Sequence, residues 1–226
     1  MEQRRDSATA YIILADGFET IEALTPLDVL RRCGVEVTTI SLNKTRAVRS
    51  SHGVTVEADA TMEEYMLKRN NAGSSSSADS SSASTNTSNA GTSSSAGSST
   101  TASSTVRQAL ILPGGYPGYK NLCESAEVGA LITQFHKEGK LLCAICGAPT
   151  ALKANQICRG AAITCHTSVK EELSDYYSIL SSAVVKYMNI ITGMGAGRSL
   201  DFAFAIAEAL TSKEKVEEIK AKMEII

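Results

Sequence analysis

Short unbroken apolar runs alternate along this chain with longer stretches whose apolar residues recur at helical spacing. The first run, Ala10 to Ala15, closes at Asp16-Gly17 and predicts a central strand ending in a turn. In Thr25-Pro26-Leu27-Asp28, Thr suits an N-cap and Pro the first helical position, which predicts a helix from there to Cys33, stopped by Gly34. Val35 to Leu42 is rich in β-branched residues and predicts a second strand. Val54 to Glu57 predicts a short third strand, and Met62 to Lys68 a short helix. Further on, Gln108 to Leu112 is an apolar strand ended by Pro113-Gly114-Gly115, and Glu127 to Lys137 an amphipathic helix. Leu141 to Ile145 predicts a strand with Pro149 opening the next helix, and Ala162 to Cys165 a strand running into His166. Weaker strands fall near Val184 and Ile190, a helix runs from Ser199 to Leu210, and Ser212 caps a last one. Strands alternating with helices predict a mostly parallel sheet covered on both faces. Ligands in such folds bind beyond the carboxyl ends of the strands.

One composition break interrupts this pattern. Asn71 to Thr105 holds only Ser, Thr, Ala, Gly, Asn and one Asp, so nothing in it offsets the entropy of ordering a chain. It predicts a disordered low-complexity insert, 71–105, within a single domain spanning 1–226. Elsewhere the composition is that of a globular protein, 43% hydrophobic and 20% charged. A formal charge of -2 gives no electrostatic reason for a nucleic-acid partner. No apolar stretch approaches a membrane span, and the polar start followed by the short run Tyr11 to Ala15 does not read as a signal peptide. A cytoplasmic location with free thiols is therefore expected for the six cysteines.

Cys146 stands out among them. An apolar strand runs into it, Gly147 and Ala148 are small, and Pro149 fits a first helical turn, the layout of a nucleophile elbow. Amides at a helix N-terminus are expected to stabilise its thiolate and lower its pKa. The plain alternative is a buried structural cysteine in a βα loop. Cys143 and Cys146 also spell C-x-x-C, but Cys143 falls inside the strand, which disfavours a redox dithiol. The spacings to Cys158, Cys165 and His166 match no common zinc site. The glycine-rich turn at Gly114-Gly115 offers amides as oxyanion donors or is simple turn chemistry, and it lacks a nucleotide-binding order. Glu22, bracketed by Ile21, Ala23 and Leu24, is a desolvated acid–base candidate or a solvated first-turn glutamate; Glu19 stands three residues before it. His166 follows a strand, His136 reads as a surface residue, and His52 has a weaker claim.

These residues together resemble the DJ-1/PfpI (ThiJ) family, in its DJ-1-like branch. The matching stretches are Leu14 to Glu22, Pro26 to Gly34, Leu112 to Gly115, Ala144 to Leu152 and Gly193 to Ala205. The resemblance implies a flavodoxin-like three-layer sandwich and a homodimer without cofactor or metal. It puts the family's reactive cysteine at Cys146, its buried protonated glutamate at Glu22, its oxyanion amides at Gly115 and Gly147, its nearby histidine at His166, and a dimer-interface arginine at His52. The activity it implies is conversion of a small 2-oxoaldehyde such as methylglyoxal to lactate, or repair of glyoxal-type adducts. A redox sensor or chaperone working through oxidation of Cys146 is the non-enzymatic alternative. The protease-like branch carries histidine directly after the nucleophile, where this chain has Gly147, which weakens a peptidase reading. The branch's usual proline after the motif histidine is Thr167 here, and a late Gly-Pro-Gly reads Gly195-Ala196-Gly197.

Overall fold

A computed structural model describes residues 8–74 and 107–225. Most of the low-complexity segment therefore lies outside the described residues. In chain order the elements are β1 (Thr9–Leu14), α1 (Thr20–Arg32), β2 (Glu36–Ser41), β3 (Ala47–Arg49), β4 (Thr55–Glu57), β5 (Ala60–Thr61) and α2 (Met62–Ser74). Then follow β6 (Gln108–Leu112), α3 (Gly118–Glu124), α4 (Ala126–Lys137), β7 (Leu141–Ile145), α5 (Pro149–Ala154) and β8 (Ala162–Ile163). The chain closes with α6 (Lys170–Leu173), β9 (Ser178–Ile179), β10 (Val184–Tyr187), β11 (Ile190–Gly193), α7 (Ser199–Leu210) and α8 (Lys213–Lys222).

Seven strands form one sheet in the order β10-β11-β7-β6-β1-β2-β5. All neighbours pair parallel except β10 with β11. The alternation of side chains along each strand divides the core. Ala10, Ile12 and Leu14 of β1, Ala109 and Ile111 of β6, and Cys143 and Ile145 of β7 pack on one face with Val29, Leu30, Phe202 and Ile206 from α1 and α7. Ile13, Leu110, Leu112, Leu142 and Ala144 point the other way, against Leu131, Ile132 and Phe135 of α4 and Leu152 of α5. Both faces are apolar, which is why these strands read as unbroken runs rather than as alternation. The result is the expected α/β three-layer sandwich with a largely parallel sheet, a flavodoxin-like arrangement. The chain builds outward from β1 to β2 on one side and to β6 on the other, so the sheet's switch point lies between β1 and β6.

Several local expectations need correction. Helix α1 starts at Thr20, not at Pro26, and carries Pro26 inside it. An interior proline leaves the carbonyl four residues back, that of Glu22, without its helical donor, and ordinarily costs about 3 kcal/mol. Burial of Ala23, Val29 and Leu30 against the sheet and α7 holds the helix together across it. Helix α2 continues to Ser74, so the boundary drawn at Asn71 falls four residues too early. The strand predicted over Ala162–Cys165 shrinks to Ala162–Ile163 and pairs with β9 outside the main sheet. The predicted strand near Val54 is β4, which pairs antiparallel with β3 as a separate hairpin.

Candidate active site

The site lies where β1, β6 and β7, adjacent in the sheet, reach their carboxyl ends. Strand β7 stops at Ile145, and Cys146 adopts φ 65°, a left-handed conformation that a non-glycine residue holds at a cost of roughly 1–3 kcal/mol. Both of its main-chain groups are tied down. The Cys146 amide donates to Gly193 O at 3.0 Å, and its carbonyl accepts from the His166 amide at 2.9 Å. Ala148 N donates to Ile145 O at 3.0 Å, closing the turn before Pro149 begins α5. The cysteine side chain is half-buried, while Cys143 three residues earlier is fully buried.

Glycines make room around the sulfur. A Cβ at Gly114 would lie 2.7 Å from Cys146 Cβ, 2.7 Å from Glu22 Oε2 and 3.0 Å from Cys146 Sγ. One at Gly147 would meet the Tyr119 ring at 2.7 Å, and the Gly147 carbonyl accepts from Thr150 Oγ1 at 2.7 Å. A side chain at this position would require the Tyr119 ring to move. Gly115 has φ 89° and interlocks with the loop after β1, where Glu19 N donates to Gly114 O at 2.8 Å. The amides of Gly115 and Gly147 both reach the Cys146 sulfur.

Glu22, in the first turn of α1, is completely buried. Its Oε2 accepts from Gly114 N at 2.8 Å, and the Cys146 thiol is its side-chain neighbour. Oε1 meets no nitrogen or oxygen among the described residues. Burial pushes the Glu22 carboxyl up to about 7, partly offset by the Gly114 amide and by Cys146, and nearby Glu19 adds to the rise. The expected lowering of the Cys146 pKa is not what the geometry gives. Burial first, and then the Glu22 charge and hydrogen bond, push the thiol up to about 12, against the pull of the Gly115 and Gly147 amides. The helix that follows has only six residues and starts three positions on, too short and too far to dominate. The push from Glu22 exists only while that carboxyl is ionised and disappears when it carries a proton. Cys146 and Glu22 are thus one coupled pair, the protonation of each depending on the other.

The remaining candidates are placed less centrally. His166 is exposed; its Nδ1 accepts from Ser168 N at 3.2 Å and lies 2.8 Å from Ser168 Oγ. It is anchored to the elbow by its main chain rather than by ending a strand of the main sheet. His52 is largely exposed on the β3–β4 hairpin, 3.3 Å from Glu19 Oε2. His136 is half-buried rather than on the surface, with Nε2 3.8 Å from Cys158 Sγ. Among the described residues no cluster of three or more His, Cys, Asp or Glu could hold a metal, and no helix is long and apolar enough to cross a membrane. Sequence reasoning missed the Gly114 amide as partner of Glu22 and the Ser51–His52 contact with Glu19. Packing of the β6 loop against α1 creates the first, and docking of the β3–β4 hairpin on the loop after β1 creates the second.

Comparisons with known proteins give the family and the fold. The chain is 32% identical over 214 residues to Protein dj-1beta of Drosophila melanogaster, covering 94% of this chain and 95% of that protein. It is 30% identical over 216 residues to the Parkinson disease protein 7 homolog of Danio rerio, with 95% of both covered. A Caenorhabditis elegans relative named as a glutathione-independent glyoxalase is 38% identical over 107 residues, 47% of this chain and 56% of that protein. The crystal structure of Drosophila DJ-1beta superposes with a TM-score of 0.78 at 31% identity, covering 97% of this chain and 99% of that one. The family model described as DJ-1/PfpI matches residues 8–209. With that match over most of its length and the same fold, the chain belongs to the DJ-1/PfpI family.

Proposed function

We propose that this protein is a cysteine-dependent enzyme that converts a small 2-oxoaldehyde, such as methylglyoxal, to the corresponding 2-hydroxy acid without a cofactor. The observation that carries this reading is the pairing of the half-buried Cys146 sulfur with the fully buried Glu22 carboxyl, beside two amides aimed at the sulfur. The name of the glyoxalase relative in Caenorhabditis elegans supports the same class of chemistry.

The pair performs the reaction with one shared proton. Sulfur attacks the aldehyde carbon as Glu22 takes the thiol proton and delivers it to the carbonyl oxygen, giving a hemithioacetal. The Gly115 and Gly147 amides stabilise the charge developing on that oxygen. Glu22, again a carboxylate, removes the proton from the former aldehyde carbon and returns it to the adjacent carbon through an enediol. The product is a thioester of the 2-hydroxy acid. Water hydrolyses it, restoring the thiol. One water is consumed and no external oxidant or reductant is needed, because one carbon is oxidised as its neighbour is reduced. A carboxyl poised near 7 suits both steps, since it donates and accepts with similar ease at neutral pH. His166, tethered to the elbow, places water or relays a proton at the mouth. On a glyoxal-type hemiaminal adduct the same sulfur would instead displace the amine, the C–S bond forming as the C–N bond breaks and the amine leaving with the thiol proton relayed by Glu22, to give the same hemithioacetal.

A second reading, a redox sensor or redox-regulated chaperone, is favoured by one feature. The unpartnered Glu22 Oε1 and the two amides could hold the oxygens of an oxidised Cys146. Purified protein given methylglyoxal separates the two. Lactate formation that is lost in Cys146→Ser supports the enzyme; a parent protein that forms no lactate while Cys146 oxidises selectively supports the sensor. In either case we propose a homodimer in the cytoplasm, the chain a single domain over 1–226 interrupted by the 71–105 insert, with the dimer checked by sedimentation at tens of micromolar.

A further inference from the structure

Beside the site lies a second polar cluster that the chemistry above does not use. The β3–β4 hairpin docks on the loop after β1 through its main chain. Gly17 N donates to Arg49 O at 2.7 Å, and Ser51 N donates to Phe18 O at 2.9 Å. This docking brings the hairpin tip, more than 30 residues along the chain, against Glu19. Ser51 Oγ donates to Glu19 Oε2 at 3.1 Å and lies 3.1 Å from His52 Nδ1. His52 Nδ1 is itself 3.3 Å from Glu19 Oε2. The Glu19 side chain is only 16% exposed, whereas His52 is 72% exposed. Glu19 is the N-cap of α1 and Glu22 stands three residues on, so the two carboxyls share one turn and one face.

We propose that Glu19 is a positioning residue that sets the protonation of the Glu22–Cys146 pair, and that Ser51 and His52 of the β3–β4 hairpin hold it in place and balance its charge. This rests on the reading that Cys146 and Glu22 share one proton. Two carboxyls on one helical turn, one of them fully buried, cannot both ionise cheaply. An anionic Glu19 therefore keeps the proton on the inner pair, and its charge is among the causes that raise Glu22. A cation held against Glu19 offsets that charge, and the inner pair then releases its proton more readily. The other charged groups around Glu19 do not replace His52. Asp16 is engaged by Arg49 N and Asn43 Nδ2. Arg49 itself reaches towards Gly53 at the hairpin tip. From α3, Lys120 lies over the Tyr116 ring.

The test is the pH profile of Cys146 alkylation by iodoacetamide, followed by peptide mass mapping, in the full-length protein. Glu19→Gln keeps shape and hydrogen bonding but removes the charge, and is expected to move the midpoint down by about half to one pH unit. His52→Arg supplies a permanent cation and is expected to move it down by a smaller amount. In a Glu19→Gln background, His52→Arg is expected to add nothing. A residue that merely supports the fold would change the plateau rate or the melting temperature and leave the midpoint in place, and that result overturns the proposal. An equal His52→Arg shift with and without Glu19 also overturns it, because His52 would then act on the pair directly. Glu22→Gln serves as the reference. If it leaves the profile unchanged, the shared-proton reading itself fails. If it shifts the profile while Glu19→Gln does not, only the role of Glu19 fails.

Discussion

Cys143 lies inside β7 with no exposed surface, whereas Cys146, three residues on, leaves the sheet at φ 65° with its thiol partly open. The two are the same residue on one segment. Inside the strand, ladder hydrogen bonds and apolar neighbours leave Cys143 no polar partner, and burial alone pushes its pKa far above the ordinary thiol value. At the strand's end the chain must turn, glycines from two loops close in, and a carboxyl and two amides converge on one sulfur. The two cysteines differ by where the strand ends, and the strain of that ending is held by main-chain bonds to Gly193 of the sheet and to His166 outside it.

The contrast can be broken most sharply by mutation. Cys146→Ser is expected to lower methylglyoxal turnover by more than about 1,000-fold, as for loss of a covalent nucleophile. Cys143→Ala is expected to leave turnover intact and cost about 1–2 kcal/mol of stability through the cavity it opens. Steady-state kinetics beside urea unfolding of both variants would check the pair. Gly114→Ala comes next. Its methyl would fall within 3.0 Å of both cysteine atoms and a Glu22 oxygen, so the sulfur or the carboxyl must shift. A loss of about 100-fold in kcat is expected. Unchanged activity would mean that the close approach of the two loops is not needed.

The pH dependence of stability sharpens the comparison further. The folded-state pKa of Glu22 is raised to about 7, so the group's contribution is fully present below its unfolded value near 4.5. It is lost as pH rises through 7. Between pH 5 and 8 this costs up to about 3 kcal/mol of folding free energy. Glu22→Gln removes that slope and should narrow the difference between unfolding curves at pH 5 and pH 8. An identical slope in parent and variant would contradict the burial of an ionisable pair. The smallest effect concerns oxidation. Mild peroxide is expected to modify Cys146 while leaving Cys143 intact, because only the former is reachable. Peptide mass mapping reads this directly.

Much of the sheet was legible in the sequence. Unbroken runs at Ala10–Ala15, Gln108–Leu112 and Leu141–Ile145 became the three central strands, and the small residues before Pro149 became the elbow. Those signals are local, set by side-chain period and turn chemistry. What stayed hidden depends on contacts between distant segments. Thr25-Pro26 reads as a helix start, yet packing on the sheet and α7 carries α1 back to Thr20 and so places Glu22 in its first turn. The direction of the Cys146 shift turned on burial and on Glu22, 124 positions away, rather than on the helix that follows. The Gly114 amide and the hairpin's grip on Glu19 arise only when three loops meet.

The Glu22–Cys146 pair is tested most directly by measuring kcat on methylglyoxal and the rate of Cys146 alkylation together in Glu22→Gln. Glutamine keeps a hydrogen-bond donor beside the sulfur but cannot accept a proton from the substrate carbon. The expected result is a thiol that still alkylates while kcat falls by about 100-fold or more, the usual scale for a lost acid–base group. Near-normal turnover in the glutamine variant would contradict it and remove Glu22 from the proton transfer.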